Sequence, residues 1–192
     1  MSHFFAMLSR MKHINRWGLM RNTSSENLCE HSYDVAVLAH ALALIKNKRL
    51  GGQVNADRAA VLALFHDASE ILTGDMPTPI KYYNPSIRRE YKQIEKVANQ
   101  KLLSLLPPDL REEYAPAFDG DSEDAEIRRI IKAADKLSAL IKCLQEQTMG
   151  NREFDSAARS QRAQLDEMNL PEVNIFMEEF LPGYLLTLDE IN

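Results

Sequence analysis

The chain has 192 residues, 45% of them hydrophobic and 27% charged, which is the composition of an ordinary globular protein and excludes a disordered or fibrous one. Its net charge of −5 offers no basic face for nucleic acid, and two cysteines are too few for a disulfide framework. No uninterrupted apolar run approaches the ~18 residues of a membrane span, so we expect one cytoplasmic domain over residues 1–192 with neither nucleic acid nor membrane as a partner.

Apolar residues recur at helical spacing along the first fifty residues. A first helix is expected after a cap at Ser2, ending near Gly18, where glycine can stop a helix. A second helix is expected within residues 24–48, where Thr23 and Glu26 have the spacing of a capping box.

The same spacing continues through the rest of the chain. A third helix is expected from Asn55 to Gly74, and Asn84 followed by proline is typical of a helix start. The prolines within residues 107–116 predict a loop, and the acidic residues 119–126 predict a solvated loop and helix start. Two further helices are expected at 127–146 and 171–180. No alternating strand pattern is present, so the predicted fold class is all-α.

Four metal-ligating side chains interrupt the apolar stripes of three of these helices. His31 continues the stripe of the second helix, His66 and Asp67 lie about 100° apart on the third, and Asp135 borders the stripe of the 127–146 helix. Taken singly, each has a structural alternative: a hydrogen-bonded core histidine, a polar helix end, or an exposed aspartate. Together they supply a mixed nitrogen and oxygen ligand set for one divalent ion, which suits Mn²⁺, Co²⁺, Fe²⁺ or Ni²⁺ better than a closed zinc site.

These residues stand within longer sequence motifs. The motifs are INRW at 14–17, SENLCEHS at 25–32, LFHDASEILTGDMPTPIKY at 64–82 and KAADKLSALIKCLQE at 132–146. The combination resembles the HD-domain metal-dependent phosphohydrolase superfamily and, within it, the bacterial HD-domain 5′-deoxynucleotidases. The resemblance implies a single compact helical bundle, a homodimer, and hydrolysis of 2′-deoxynucleoside 5′-monophosphates with one divalent ion, Co²⁺ or Mn²⁺ in the first place.

The resemblance also implies a role for each site residue. It makes His31, His66, Asp67 and Asp135 the metal ligands. Of these, His31, Asp67 and Asp135 are also expected to contact the substrate. It makes Glu70 and Asp75 the catalytic acids, with Arg16 and Trp17 at the phosphate and sugar. The loop that lines the substrate then consists of Asp75, Met76, Pro77 and Thr78.

Other interpretations remain at this point. Arg16 also fits an ordinary surface arginine, and Trp17 also fits a core anchor. Two other functions are compatible with the sequence. One is that of another HD-domain phosphohydrolase, which acts on a nucleoside triphosphate or a phosphodiester. The other is that of a non-catalytic helical interaction module, in which the metal site has been lost.

HD-type cyclic-nucleotide phosphodiesterases typically carry further histidines between the HD pair and the distal aspartate, which build a second metal site. None of the five histidines here follows residue 66, so the resemblance favours one metal ion over two, and the intact ligands argue against a decayed site.

Overall fold

The computed structural model describes residues 1–77, 84–118 and 125–191, and within these ranges it contains ten α-helices and no strand. The all-α prediction is therefore confirmed. Short 3₁₀ segments cover Ser9–His13, Arg152–Phe154 and Leu181–Leu185. The helices are α1 (Phe4–Leu8), α2 (Leu28–Leu50), α3 (Ala56–Leu64), α4 (Glu70–Thr73), α5 (Pro85–Ser104), α6 (Pro108–Phe118), α7 (Ala125–Thr148), α8 (Asp155–Met168), α9 (Pro171–Glu179) and α10 (Leu188–Ile191).

The main hydrophobic core lies between α2, α3 and α7, with α8 packed on α7 and α9 packed on α2. Leu42, Leu137 and Phe154 are among its fully buried side chains, and burial of each contributes roughly 1.5–3 kcal/mol. A second apolar cluster joins Phe4 of α1 to Leu102 of α5 and to neighbouring α6. The predicted metal ligands thus lie on, or directly after, the three central helices of the main core.

The start of α2 differs from the predicted one. The side chain of Asn27, not Thr23, caps the helix: its oxygen accepts hydrogen bonds from the backbone N–H groups of Cys29 and Glu30 at 2.9 and 3.0 Å. The Glu30 carboxylate accepts the Asn27 N–H in return, which completes a capping box four residues later than expected. Glu26 therefore has no capping role, and its side chain is buried, only 8% exposed.

The predicted third helix is broken at the predicted metal ligands. Helix α3 ends at Leu64, residues 65–69 form consecutive turns, and α4 begins at Glu70. Backbone hydrogen bonds in this stretch run from residue i to i−3, for example from His66 N–H to the Ala63 carbonyl at 3.3 Å. Gly74 ends α4 as expected, with a φ of +73° that favours glycine.

Three other sequence predictions, on the end and the cap of α1 and on the proline-containing stretch, differ from the structure. Helix α1 ends at Leu8, well before Gly18, and the Ser2 hydroxyl donates to the Leu105 carbonyl instead of capping it. The proline-containing stretch forms α6, because Pro108 lies at the helix start, where no N–H is needed.

Asn84 caps α5 as predicted. Residues 119–124 of the acidic stretch lie outside the described ranges.

Helix α2 has the length and average hydropathy of a membrane span, although no uninterrupted apolar run in the sequence predicts one. Its most apolar stretch is 56% buried inside the fold, which is the pattern of a central core helix. Length and composition are the only features of the described residues that favour a span.

Candidate metal centre

The structure brings together His31, His66, Asp67 and Asp135, whose ligand atoms all lie within 4.8 Å of one another. His31 comes from the beginning of α2, His66 and Asp67 from the turn after α3, and Asp135 from the middle of α7. His31 Nε2 lies 3.2 Å from Asp135 Oδ1, and His66 Nε2 lies 3.1 Å from Asp67 Oδ2. The four predicted ligands therefore form one cluster, at the meeting point of three segments that are distant in sequence.

The ring orientation of both histidines fits metal binding through Nε2. His66 Nδ1 lies 2.7 Å from the Ala63 carbonyl and must carry the proton there, so Nε2 is the nitrogen that faces the cluster and is available to a metal. His31 Nδ1 faces the Ser138 hydroxyl at 3.2 Å, again leaving Nε2 toward the aspartates. Both Nε2 atoms are buried, and neither makes a hydrogen bond within the described residues. A cation between them and the carboxylates satisfies both atoms.

The charges of the cluster support the same interpretation. Burial opposes ionisation of Asp67, but the charge of His66, whose Nε2 lies 3.1 Å from Asp67 Oδ2, outweighs burial and holds the pKa of Asp67 well below its usual range. Burial also opposes ionisation of Asp135, yet the His31 ring, whose Nε2 lies 3.2 Å from Asp135 Oδ1, lowers the pKa of Asp135 to about 2. Both carboxylates are ionised at neutral pH, as oxygen ligands of a metal must be.

Arg16 lies at the edge of the cluster with its side chain 13% exposed. Its Nη1 is 3.6 Å from Asp67 Oδ2, and its Nε is 3.5 Å from Glu26 Oε2. Burial would lower the pKa of Arg16, but the surrounding carboxylates, Glu26 and Asp135 first among them, raise it. A permanently charged, planar donor group therefore stands beside the four ligands, where it can bind an anionic oxygen.

Trp17 is both a packed side chain and a neighbour of the site. Its ring centroid lies 5.4 Å from that of Phe154, and its indole N–H donates to Glu26 Oε2 at 2.7 Å. Its backbone has a φ of +58°, an unusual value for a large side chain. The core-anchor and active-site interpretations of this residue are thus compatible.

The predicted catalytic acids follow the cluster along the chain. Glu70 is 4% exposed, and its backbone N–H donates to the Asp67 carbonyl at 2.9 Å, so one tight turn separates it from the ligands. Asp75 follows Gly74, and its charge contributes to the raised pKa of Arg16, which places it within electrostatic reach of that side chain. Met76 and Pro77 come next and are partly exposed, whereas Thr78 lies outside the described residues.

Two residues near the cluster were missed as site residues by the sequence analysis. Glu26 was assigned to a capping box, and Ser138 was not singled out. Ser138 is 4% exposed and follows Asp135 by three residues, so it shares a helix face with that ligand. The signal for Glu26 is the complete Asn27–Glu30 capping box beside it, which leaves its carboxylate without a capping role.

Comparisons with known sequences agree on one family. The YfbR-like 5′-deoxynucleotidase family model matches residues 3–184. The chain is 54% identical to the 5′-deoxynucleotidase plu3092 of Photorhabdus laumondii over 192 residues, which covers 100% of this chain and 98% of the relative. It is 53% identical to the 5′-deoxynucleotidase YfbR of Escherichia coli, with 100% of this chain and 96% of the relative covered.

Solved structures show the same fold. A crystal structure of an HD-domain phosphohydrolase from Listeria innocua superposes with a TM-score of 0.83 at 25% identity, over 98% of this chain and 90% of the other. The cyanophage S-2L HD phosphohydrolase DatZ, bound to dA and one catalytic Zn²⁺ ion, gives a TM-score of 0.64 at 22% identity, over 94% and 95% of the two chains. At 22% identity, the similarity to DatZ shows only that the two proteins share a fold.

Proposed function

The chain belongs to the YfbR-like 5′-deoxynucleotidase family, and from that premise we propose that it hydrolyses 2′-deoxynucleoside 5′-monophosphates to deoxynucleoside and phosphate with one divalent metal ion. The reaction is hydrolysis of a phosphoric monoester. The observation that carries the proposal is the cluster of His31, His66, Asp67 and Asp135 beside the charged Arg16.

The four clustered side chains are the proposed ligands of the ion. Two imidazole nitrogens and two carboxylates leave coordination positions for water and substrate, as catalytic sites require. When bound, the ion supplies a Lewis acid for a phosphoryl oxygen and lowers the pKa of water. Co²⁺ and Mn²⁺ are the first candidates, and the donor set also suits Fe²⁺ and Ni²⁺.

Arg16 is the proposed phosphate-binding residue. Its guanidinium lies 3.6 Å from Asp67, one of the proposed ligands, so an anion bound near the cluster also lies near Arg16. The planar donor group matches two phosphate oxygens at once and stabilises their charge. Arg16 remains protonated throughout, because the surrounding carboxylates raise its pKa.

Glu70 and Asp75 are proposed to move the protons. Water attacks phosphorus, the bond from phosphorus to the 5′-oxygen breaks, and a proton must leave the water and reach the 5′-oxygen. Glu70, buried one tight turn from the ligands, orients or deprotonates the water. Asp75, close to Arg16, holds that water or protonates the leaving oxygen. His31, Asp67 and Asp135 contribute to substrate binding through the same centre.

Trp17 is proposed to face the sugar, with Met76, Pro77 and Thr78 lining the rest of the nucleotide site. The single indole N–H already donates to Glu26. The side chain therefore presents no donor and no acceptor to a 2′-hydroxyl. A ribonucleotide would bury its hydroxyl without a partner, whereas a deoxyribonucleotide has none to bury.

The remaining properties belong to the same proposal. We propose one domain over residues 1–192, a homodimer, and a cytoplasmic location. The net charge of −5 supports the absence of a nucleic-acid partner, and the burial of α2 in the core supports the absence of a membrane partner.

Hydrolysis of a substrate panel, with the products separated by chromatography, tests the proposal. The panel contains dAMP, AMP, dATP and a phosphodiester, each assayed with Co²⁺, with Mn²⁺ and with chelator. We expect metal-dependent conversion of dAMP to deoxyadenosine and phosphate to be faster than hydrolysis of any other substrate. Faster hydrolysis of dATP or of the diester would place the enzyme among the other HD-domain hydrolases.

A further inference from the structure

One buried carboxylate contacts three residues of the site. Glu26, 8% exposed, has Oε2 at 2.7 Å from Trp17 Nε1 and 3.5 Å from Arg16 Nε. Its other oxygen, Oε1, lies 3.6 Å from His31 Nδ1. We propose that Glu26 is a positioning residue that orients the phosphate-binding arginine and the sugar-facing indole and fixes the metal-binding tautomer of His31. This inference rests on the proposed function for the roles of these residues.

The backbone places Glu26 beside the Arg16–Trp17 pair. An isolated bridge joins Asn15 to Asn27 in antiparallel fashion. Within it, the Arg16 N–H donates to the Glu26 carbonyl at 2.9 Å, and the Leu28 N–H donates to the Ile14 carbonyl at 2.8 Å. The chain before α2 and the INRW segment are thus held side by side, which leaves the Glu26 carboxylate within reach of both site side chains.

The contact with His31 determines which ring nitrogen is available to a metal. A carboxylate near Nδ1 favours the tautomer with its proton on Nδ1 and its lone pair on Nε2. His31 is fully buried, and its Nε2 faces Asp135 and Asp67. Ser138 also lies beside Nδ1, but a hydroxyl can either donate or accept, so it does not select the tautomer.

The contact with Glu26 orients the indole of Trp17, a residue whose backbone conformation is unfavourable. A φ of +58° is unfavourable for a non-glycine residue, and such a conformation persists only where surrounding contacts determine it. The indole hydrogen bond to Glu26 and the ring contact with Phe154 hold the side chain, and the Trp17 carbonyl accepts hydrogen bonds from the Met20 N–H and the Asn22 amide. Removing the carboxylate leaves the ring contact alone to orient the indole.

The Glu26→Gln and Glu26→Ala variants separate these effects. In Glu26→Gln the amide oxygen still accepts the indole N–H, but its NH₂ group meets the Nδ1 proton of His31. Glu26→Ala removes both interactions. Glu172→Gln is the matched control, because Glu172 is also a buried glutamate (1% exposed) but pairs with Lys46 at the far end of α2.

The chain has a single tryptophan, so its fluorescence reports on Trp17 alone. In Glu26→Ala we expect a red-shifted emission, greater quenching by acrylamide and a narrower dAMP-to-AMP preference. In Glu26→Gln we expect emission and preference close to wild type. In both, Mn²⁺ affinity measured by calorimetry falls by about 10–100-fold, the usual effect of a lost outer partner of a metal-bound histidine. Glu172→Gln changes none of these readouts.

The inference is overturned if Glu26→Ala keeps wild-type emission and Mn²⁺ affinity, or if Glu172→Gln shows the same changes. Emission and Mn²⁺ affinity do not require turnover. A protein that hydrolyses no deoxynucleotide would therefore contradict the proposed function while still testing the role of Glu26.

Discussion

His31 Nε2, near the start of α2, lies 3.2 Å from Asp135 Oδ1, in the middle of α7. His66 and Asp67 join them from the turn after α3. An ion held by all four side chains would connect three segments of the fold. The proposed metal centre therefore has consequences for stability as well as for catalysis.

Removing the metal should lower the melting temperature. An ion that binds only the folded state stabilises it by about 2.7 kcal/mol at a hundredfold excess over its dissociation constant. Chelation should lower Tm, and Mn²⁺ or Co²⁺ should restore it, as measured by scanning calorimetry. Asp135→Ala should abolish the response, whereas Asp166→Ala, at an exposed position on α8, should keep it. A Tm unaffected by chelator would contradict the proposed ligands.

Glu70→Gln should separate metal binding from catalysis. Because Glu70 is proposed to act on water, the variant should retain its metal while kcat falls by roughly 100-fold or more, the scale of a lost general base. Metal content is measured by atomic emission on the same samples as kcat. His66→Ala should lose both metal and activity. Parallel loss of metal in Glu70→Gln would make Glu70 a ligand instead.

Trp17→Ala and Arg16→Ala should affect different parts of the substrate. Burying an unpaired 2′-hydroxyl costs about 1–3 kcal/mol, which corresponds to roughly 5–150-fold in kcat/KM. Trp17→Ala should therefore narrow the gap between dAMP and AMP. Arg16→Ala should lower kcat/KM for both and leave their ratio nearly unchanged, since both substrates carry the phosphate. A full deoxy preference in Trp17→Ala would place the selectivity in the Asp75–Thr78 loop.

Glu146 should control part of the acid sensitivity of the fold. Burial would raise its pKa, but hydrogen bonds from Lys142 and from the Ser24 and Thr23 N–H groups outweigh burial and hold it well below its usual range. Its stabilisation is therefore complete above the unfolded pKa of about 4.3 and is lost as the pH falls through the lower folded-state value.

Urea unfolding between pH 3 and 7 checks this expectation. Glu146→Gln should lower the free energy of unfolding at pH 7 by roughly 3 kcal/mol, because Lys142 loses its buried partner. Below pH 4.5, the free energy of unfolding of the variant should also change less steeply with pH, by an amount that corresponds to up to about one bound proton. An unchanged slope would show that Glu146 does not contribute to it.

The sequence predicts which of these side chains cluster more accurately than it predicts the elements that carry them. Periodicity placed His66 and Glu70 on one face of a continuous helix, because i to i+3 and i+4 spacing looks the same whether the chain is α-helical or forms consecutive turns. At the break after Leu64, both the backbone N–H and the ring of His66 hydrogen-bond to the Ala63 carbonyl, a contact that spacing does not reveal.

The position of Glu26 shows a different limit. Thr23–Glu26 and Asn27–Glu30 are both capping-box candidates, and a local pattern does not choose between them. Tertiary structure decides, because the Thr23 N–H donates to Glu146 on α7 and Glu26 turns inward toward Arg16 and His31. The neighbouring capping box frees the Glu26 carboxylate, but only long-range contacts show where that carboxylate lies.

The metal dependence of dAMP hydrolysis tests the central claim most directly. Protein stripped with chelator and desalted is titrated with Co²⁺ or Mn²⁺ while phosphate release from dAMP is measured. Activity should be absent at the start, rise in proportion to added metal and level off at one ion per chain. Undiminished hydrolysis by the stripped protein, or a plateau only at two ions per chain, would contradict a single catalytic ion held by His31, His66, Asp67 and Asp135.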